Sequence, residues 1–198
     1  MRETLNVGIV GVCGRGGVFK TSLADAGNVQ ILAVCDTHRQ GLHEAALQTG
    51  ATEEYTDYST MVEKSDIQAV ILGTPMPLHV PQAVLALEKG IHVLSEVPAG
   101  VSIEECKRLV LACKNSRAMY ALAENYIYTK PNSLISEICK RGLFGTLYYA
   151  EGEYLHELKE LNEKTPWRRK WQTGINGITY PTHSLGPILQ WLAGDRVV

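Results

Sequence analysis

The chain has no CxxC pair, no block of like charge, no basic N-terminal segment leading into a long apolar one, and no repeat or low-complexity tract. Each absence removes a class. Five cysteines (Cys13, Cys35, Cys106, Cys113 and Cys139) are an odd number lying mostly inside apolar stretches, so we read reduced thiols rather than a disulfide framework or a zinc site. His38, His43 and His92 show no ligand spacing, and no metal is expected. The 19 basic and 21 acidic residues are spread along the chain for a net charge of -2, which leaves no electrostatic footprint for nucleic acid or an anionic membrane. No window approaches a membrane-spanning length, and the N-terminus enters a strand-like run at once, which predicts a soluble, unexported, cytoplasmic protein. Small-molecule chemistry remains.

What is present is a chain of 198 residues, 45% of them hydrophobic, long enough to bury a sizeable core and to form one domain plus part of another. Apolar runs at 5–10, 29–36, 69–72, 91–94 and 119–123 alternate with amphipathic segments at 77–89 and 102–115. That order predicts an α/β fold, a doubly wound parallel Rossmann sheet with helices on both faces. After a helix around 131–141 the texture changes. Residues 146–156 (TLYYAEGEYLH) predict one long strand, 157–169 a charged loop, and 187–193 a last apolar segment. One strand and one helix cannot bury a sheet face, so this half is expected to be the incomplete start of an α+β open-sheet domain.

The first apolar run enters a glycine-rich turn, GVCGRGG. In the dinucleotide fingerprint GxGxxG one glycine makes the tight turn, the second lets backbone approach a pyrophosphate, and the third lets helix and strand pack closely. Those positions fall here on Gly11, Cys13 and Gly16. Cys13 departs from the pattern, and Gly14 beside it is expected to let the loop present its N–H groups to an anion. Arg15, within the loop, is expected to face the diphosphate. Asp36 ends the second run about 20 residues past Gly16, where an acidic side chain accepts from the ribose hydroxyls. A carboxylate there repels a 2′-phosphate, so NAD is expected over NADP. Two further loops follow predicted strands, where open α/β sheets bind ligands: Thr74, Pro75, Met76 and His79 lie in one, Glu96 and Val97 in the other.

The order of glycine loop, VCD, GTPxxxH, SEVPAG, AENY, a long aromatic segment and a late histidine resembles the glucose-fructose oxidoreductase, inositol dehydrogenase and rhizopine-catabolism (Gfo/Idh/MocA) superfamily. The likeness spans essentially the whole chain. It implies that residues 1–125 form an NAD-binding domain and that 126–198 begin a larger substrate and oligomerisation domain, with homo-oligomers expected for the full-length form. Superfamily dehydrogenases usually carry Glu-Lys-Pro where this chain has Glu96-Val97-Pro98, and valine can neither donate a proton nor hold a charge. They also tend to carry an aspartate where Thr179 stands, four residues before His183. The segments EVP, HEL (156–158), Trp167-Arg168 and YPTH (180–183) are similar instead to the NAD-dependent α-N-acetylgalactosaminidase branch.

That narrower resemblance implies glycoside hydrolysis by transient oxidation at C3, proton abstraction at C2, elimination at C1, water addition and re-reduction. It makes Tyr154, Arg168 and Tyr180 sugar contacts and puts Asn125, Glu96, Val97 and the 76–79 loop near NAD. It also implies a further sugar-contacting tyrosine beyond residue 198, so these residues alone are expected to bind cofactor and turn over poorly. His183 and Tyr180 are the candidates for proton transfer, because imidazole titrates near neutrality and a phenol near a cation ionises more readily. A histidine at a helix start is more often a cap or a packed core residue, and the YPTH setting is what reverses that judgement. His156 and Glu157 read as solvated or supporting, and Trp167 and Trp171 as stacking or junction residues. The alternatives are a net NAD-linked sugar or cyclitol dehydrogenase and a nucleotide-binding module without turnover.

Overall fold

The computed structural model describes residues 4–173 and 180–192, with side chains omitted for 170–173. It divides into two compact units, Met1–Ala123 and Glu124–Val198. The first unit contains strands β1 (Leu5–Val10), β2 (Val29–Cys35), β3 (Glu53–Tyr55), β4 (Ala69–Leu72), β5 (His92–Ser95) and β6 (Tyr120–Leu122). All neighbours pair in parallel, in the order β3-β2-β1-β4-β5-β6. This is the doubly wound order whose direction reverses between β1 and β4, the place where such sheets bind ligands.

The helices of this unit are α1 (Phe19–Ala24), α2 (Arg39–Thr49), α3 (Tyr58–Lys64), α4 (His79–Glu88) and α5 (Ile103–Asn115). Both sheet faces are covered, which is why the central strands read as continuous apolar runs rather than alternating ones. On β1, Ile9 points to one side with Val34, Leu42, Ala45 and Ala46. Its neighbour Val10 points to the other with Met61, Leu72, Val80, Leu87 and Leu109. The helix starts are capped locally. Asp57 accepts from the Thr60 N–H at 2.8 Å ahead of α3, and Ser102 accepts from the Glu105 N–H at 3.1 Å ahead of α5.

The second unit contains a 3₁₀ turn at Tyr126–Tyr128 and helices α6 (Lys130–Lys140), α7 (Lys159–Lys164), α8 (Pro166–Thr173) and α9 (Pro181–Trp191). α6, α9 and the 3₁₀ turn pack on one another, and Trp191 donates its indole N–H to the Asn132 carbonyl at 3.3 Å. Two expectations are corrected here. Residues 146–156 form no strand, because a strand exists only with a ladder partner and none of the described residues supplies one. The expected charged loop at 157–169 contains α7 and the first half of α8. Of the last apolar segment, 187–191 are the end of a helix that begins at Pro181, and residue 193 lies outside the described residues. Thr179 lies outside the described residues, as does the side chain of Trp171.

At the reversal point the turn after β1 crosses the turn after β4. Gly11 has φ +73°, and a Cβ there would stand 2.6 Å from the Gly73 carbonyl oxygen, while a Cβ on Gly73 would collide with the Gly16 backbone. Gly50, the left-handed cap of α2, has φ +70° with nothing within 4 Å of a Cβ and so isolates the cost of the dihedral alone. In urea melts Gly50→Ala should cost about 1–2 kcal/mol. Gly11→Ala should cost about 1–3 kcal/mol more, for the clash with Gly73.

Candidate functional site

In the first unit the candidate residues collect at the carboxyl ends of the strands. Asp36 follows β2, and its carboxylate holds the neighbouring loops: Oδ2 accepts from the Cys13 N–H at 2.9 Å and Oδ1 from the His38 N–H at 3.0 Å. A carboxylate offers about four lone-pair sites, so each oxygen retains capacity for a hydroxyl donor. The glycine loop is tied internally as well. The Gly11 carbonyl accepts from the N–H groups of Gly14 and Gly16, both at 3.0 Å, and the chain runs into a short 3₁₀ turn at Arg15–Val18 before the six-residue α1. Arg15 extends from this turn with its Nε donating to Glu96 Oε1 at 2.8 Å; the arginine side chain is 53% exposed and the glutamate 8%. The cation is therefore presented at the surface and its counterion is buried.

The loop after β4 is fixed from within. Thr74 donates its hydroxyl to Gln82 Oε1 at 2.6 Å, Pro75 caps the turn Met76–Leu78, and Met76 is buried in the core. His79 is 1% exposed, with Nδ1 2.8 Å from the Pro98 carbonyl oxygen and Nε2 2.8 Å from that of Thr74. His79 thus sits between the two loops, with a ring nitrogen against a carbonyl of each. Val97, beside Glu96, is buried and carries no ionisable group. Cys13 is exposed, yet its thiol is pushed up to about 11, chiefly by partial burial of the sulfur and then by the Asp36 carboxylate.

A second cluster forms within the second unit. His183, in the first turn of α9, turns Nδ1 toward the Glu124 carboxylate, 2.9 Å from Oε1 and 3.0 Å from Oε2. Both side chains are nearly buried, at 9% and 8% exposure. Tyr154 packs edge-on to the imidazole at 4.9 Å, and Tyr180 lies parallel to it at 5.5 Å. Arg168 donates Nη1 to the Tyr180 hydroxyl and rests over the Trp167 ring at 4.8 Å. His156 meets Tyr154 edge-on at 5.8 Å, whereas Glu157 accepts from the Lys159 N–H at 2.8 Å, at the start of α7. Gly186 lets α9 approach this group, because a Cβ there would stand 3.0 Å from Glu124 Cγ.

The structure therefore brings Tyr154, Arg168, Tyr180 and His183 together. Asn125 is exposed at the start of the 3₁₀ turn of the same unit, where its carbonyl accepts from the Tyr128 N–H at 3.1 Å. Sequence reasoning missed Glu124, the buried partner of His183. Its signal was the acid of the AENY segment, an ionisable residue placed directly after a short apolar strand.

Residues 5–124 match the oxidoreductase family with an NAD-binding Rossmann fold. The chain belongs to that family. A glycosyl hydrolase family 109 protein of Shewanella pealeana is 34% identical over 98% of this chain and 46% of its own length. An alpha-N-acetylgalactosaminidase of Shewanella oneidensis is 33% identical over the same shares. The chain thus spans about half the length of the curated relatives it matches.

Among solved structures, the WlbA dehydrogenase of Bordetella pertussis, in complex with NADH and UDP-GlcNAcA, matches with TM-score 0.83 and 26% identity over 98% of this chain and 56% of that one. The scyllo-inositol dehydrogenase of Lactobacillus casei, with bound NAD(H) and scyllo-inositol, matches with TM-score 0.68 and 26% identity over 72% of this chain and 43% of that one. The NAD-binding family is consistent with the strand-tip turns: Gly11, Gly16 and Gly73 let two backbones cross in close contact at the reversal point, where such sheets bind dinucleotides.

The thiolate is the reactive form of a cysteine, so the raised Cys13 value predicts slow chemistry despite exposure. Mass spectrometry of the folded protein treated with iodoacetamide should show little Cys13 alkylation at pH 8 and a midpoint near about 11. Asp36→Asn removes the second cause and should lower that midpoint without restoring the ordinary value, since partial burial persists.

Proposed function

We propose that this chain belongs to an NAD-dependent glycosidase, in which the first unit holds the cofactor and the second supplies sugar contacts and proton transfer. The observation that carries the reading is the buried Glu124–His183 pair ringed by tyrosines. The likeness to the alpha-N-acetylgalactosaminidase of Shewanella oneidensis supports it. NAD bound at the strand tips supplies reversible two-electron oxidation of a sugar hydroxyl, which acidifies the adjacent C–H bond. Asp36 accepts from the adenosine ribose hydroxyls and disfavours a 2′-phosphate, Arg15 offers its charge to the diphosphate, and the loops of Thr74–His79 and Glu96–Val97 shape the remaining wall.

Proton transfer falls to the second unit, because buried Val97 has no proton to give. Glu124 fixes His183 through Nδ1, so Nε2 is the nitrogen that takes the proton from the carbon next to the oxidised centre; the carboxylate offsets the charge that then develops on the ring. Tyr180, held by Arg168, supplies a polarised hydroxyl for the departing group or for orienting the sugar. No pair of carboxylates flanking a glycosidic bond is required, which separates this scheme from ordinary two-acid glycoside hydrolysis.

The fold neighbours that act on inositol favour a second reading, a net NAD-linked sugar or cyclitol dehydrogenase in which His183 takes a hydroxyl proton. The two readings diverge in their use of cofactor. On an aryl α-glycoside in D₂O, the glycosidase requires NAD⁺ in catalytic amount, accumulates no NADH and leaves deuterium at C2 of the released sugar. Stoichiometric NADH would establish the dehydrogenase instead, and hydrolysis unaffected by stripping NAD would refute both. His183→Ala should reduce kcat by about 10²–10⁴-fold, and Glu124→Gln should reduce it with little change in KM.

A further inference from the structure

We propose that Tyr126 is a positioning residue for His183, a role that rests on the proposed function for its catalytic consequence but not for its geometry. The Tyr126 ring stacks on the imidazole with centroids 4.3 Å apart and planes 24° from parallel. The same residue also holds the other end of the pair. Its backbone N–H donates to Glu124 Oε1 at 2.8 Å, and that oxygen lies 2.9 Å from His183 Nδ1. One residue therefore fixes both the carboxylate and the face of the ring that the carboxylate orients.

Tyr126 is itself held. Its carbonyl accepts from Asn132 Nδ2 at 2.8 Å and from the Thr129 hydroxyl at 3.0 Å, which binds the 3₁₀ turn to the start of α6. Its ring also receives the edge of Tyr154 at 5.1 Å. Tyr154 and Tyr180 also face the imidazole, but its two tightest restraints are the Glu124 carboxylate at Nδ1 and the Tyr126 ring 4.3 Å away. The bond from Nδ1 to Glu124 sets which nitrogen is left for proton transfer, and the stack on Tyr126 sets the tilt of the ring about that bond. A carboxylate alone leaves the tilt free, and proton transfer from carbon requires the accepting lone pair to be aligned with the breaking bond. The electron-rich face of the phenol also favours the cationic ring formed once the proton has been taken.

The test reads geometry and catalysis separately. The proton on His183 Cε1, assigned by its loss in His183→Asn, should resonate upfield in the unliganded protein because the imidazole stacks on the Tyr126 ring. Tyr126→Phe keeps the ring and should keep both that shift and kcat. Tyr126→Leu and Tyr126→Met keep the backbone N–H and remove the ring. Either should move the resonance downfield and lower kcat by roughly tenfold to hundredfold with KM nearly unchanged. Having two such variants guards against one that fails to fold. An ordinary shift in the parent protein overturns the proposal, as does full kcat in either ring-deleted variant with the resonance displaced. If the shifts behave as expected but the full-length form hydrolyses no glycoside, the glycosidase reading fails and the placement of His183 by Tyr126 stands.

Discussion

The crossing of two backbones between β1 and β4 sets the geometry of the whole first unit. Gly11 and Gly73 approach too closely for either to carry a side chain, and Gly16 lies against the same point, where a Cβ would stand 2.5 Å from the Val10 carbonyl oxygen. This contact positions the turn after β1, which carries the Cys13 N–H and the Arg15 side chain that meet the acids of two other loops. Cys13 presents its N–H to Asp36, and Arg15 reaches Glu96 across the ends of β4 and β5. A bulkier residue at the crossing would displace both contacts at once, because both originate within four residues of Gly11.

The charges at the strand tips are arranged unequally. Glu96 is buried and Arg15 is half exposed, so the carboxylate depends on the guanidinium more than the reverse. A diphosphate near Arg15 would meet a cation that is already oriented, and the planar guanidinium has donors beyond the Nε that Glu96 engages. Asp36 plays a double part. It braces the cysteine that replaces a glycine of the fingerprint, and that brace explains how the loop tolerates a side chain at this position: Cys13 stands exposed while its N–H is drawn inward to the carboxylate.

The legibility of the sequence followed the strength of each local signal. Runs such as AVIL at 69–72 coincide with a strand because burial on both faces demands uninterrupted apolar residues. β3, with the sequence EEY, escaped notice because three residues at a sheet edge need only backbone pairing and one inward side chain. Residues 146–156 misled in the opposite direction: their aromatic, β-favouring composition reads as a strand, but composition supplies no partner for its N–H and C=O groups. At the candidate site, Asp36 and the glycine loop were legible because their spacing is set within one strand–helix–strand unit. Glu124 was not, since its meaning comes from a histidine 59 positions away. Tyr126 was hidden more deeply still, because its contribution lies as much in a backbone N–H as in its ring.

The two units solve different physical problems. At the strand tips, one backbone crossing and one ion pair, Arg15–Glu96, give a surface suited to a polyanion, which requires charge and close approach but little chemistry. In the second unit, aromatic rings surround one carboxylate–imidazole pair, an environment that excludes water and strengthens the electrostatic interaction between the two groups. Buried Val97 makes that division necessary. With valine where the superfamily's dehydrogenases usually carry lysine, the cofactor wall has no ionisable side chain there. In the proposed reading proton transfer falls to the Glu124–His183 pair, whose two side chains are nearly buried and in direct contact.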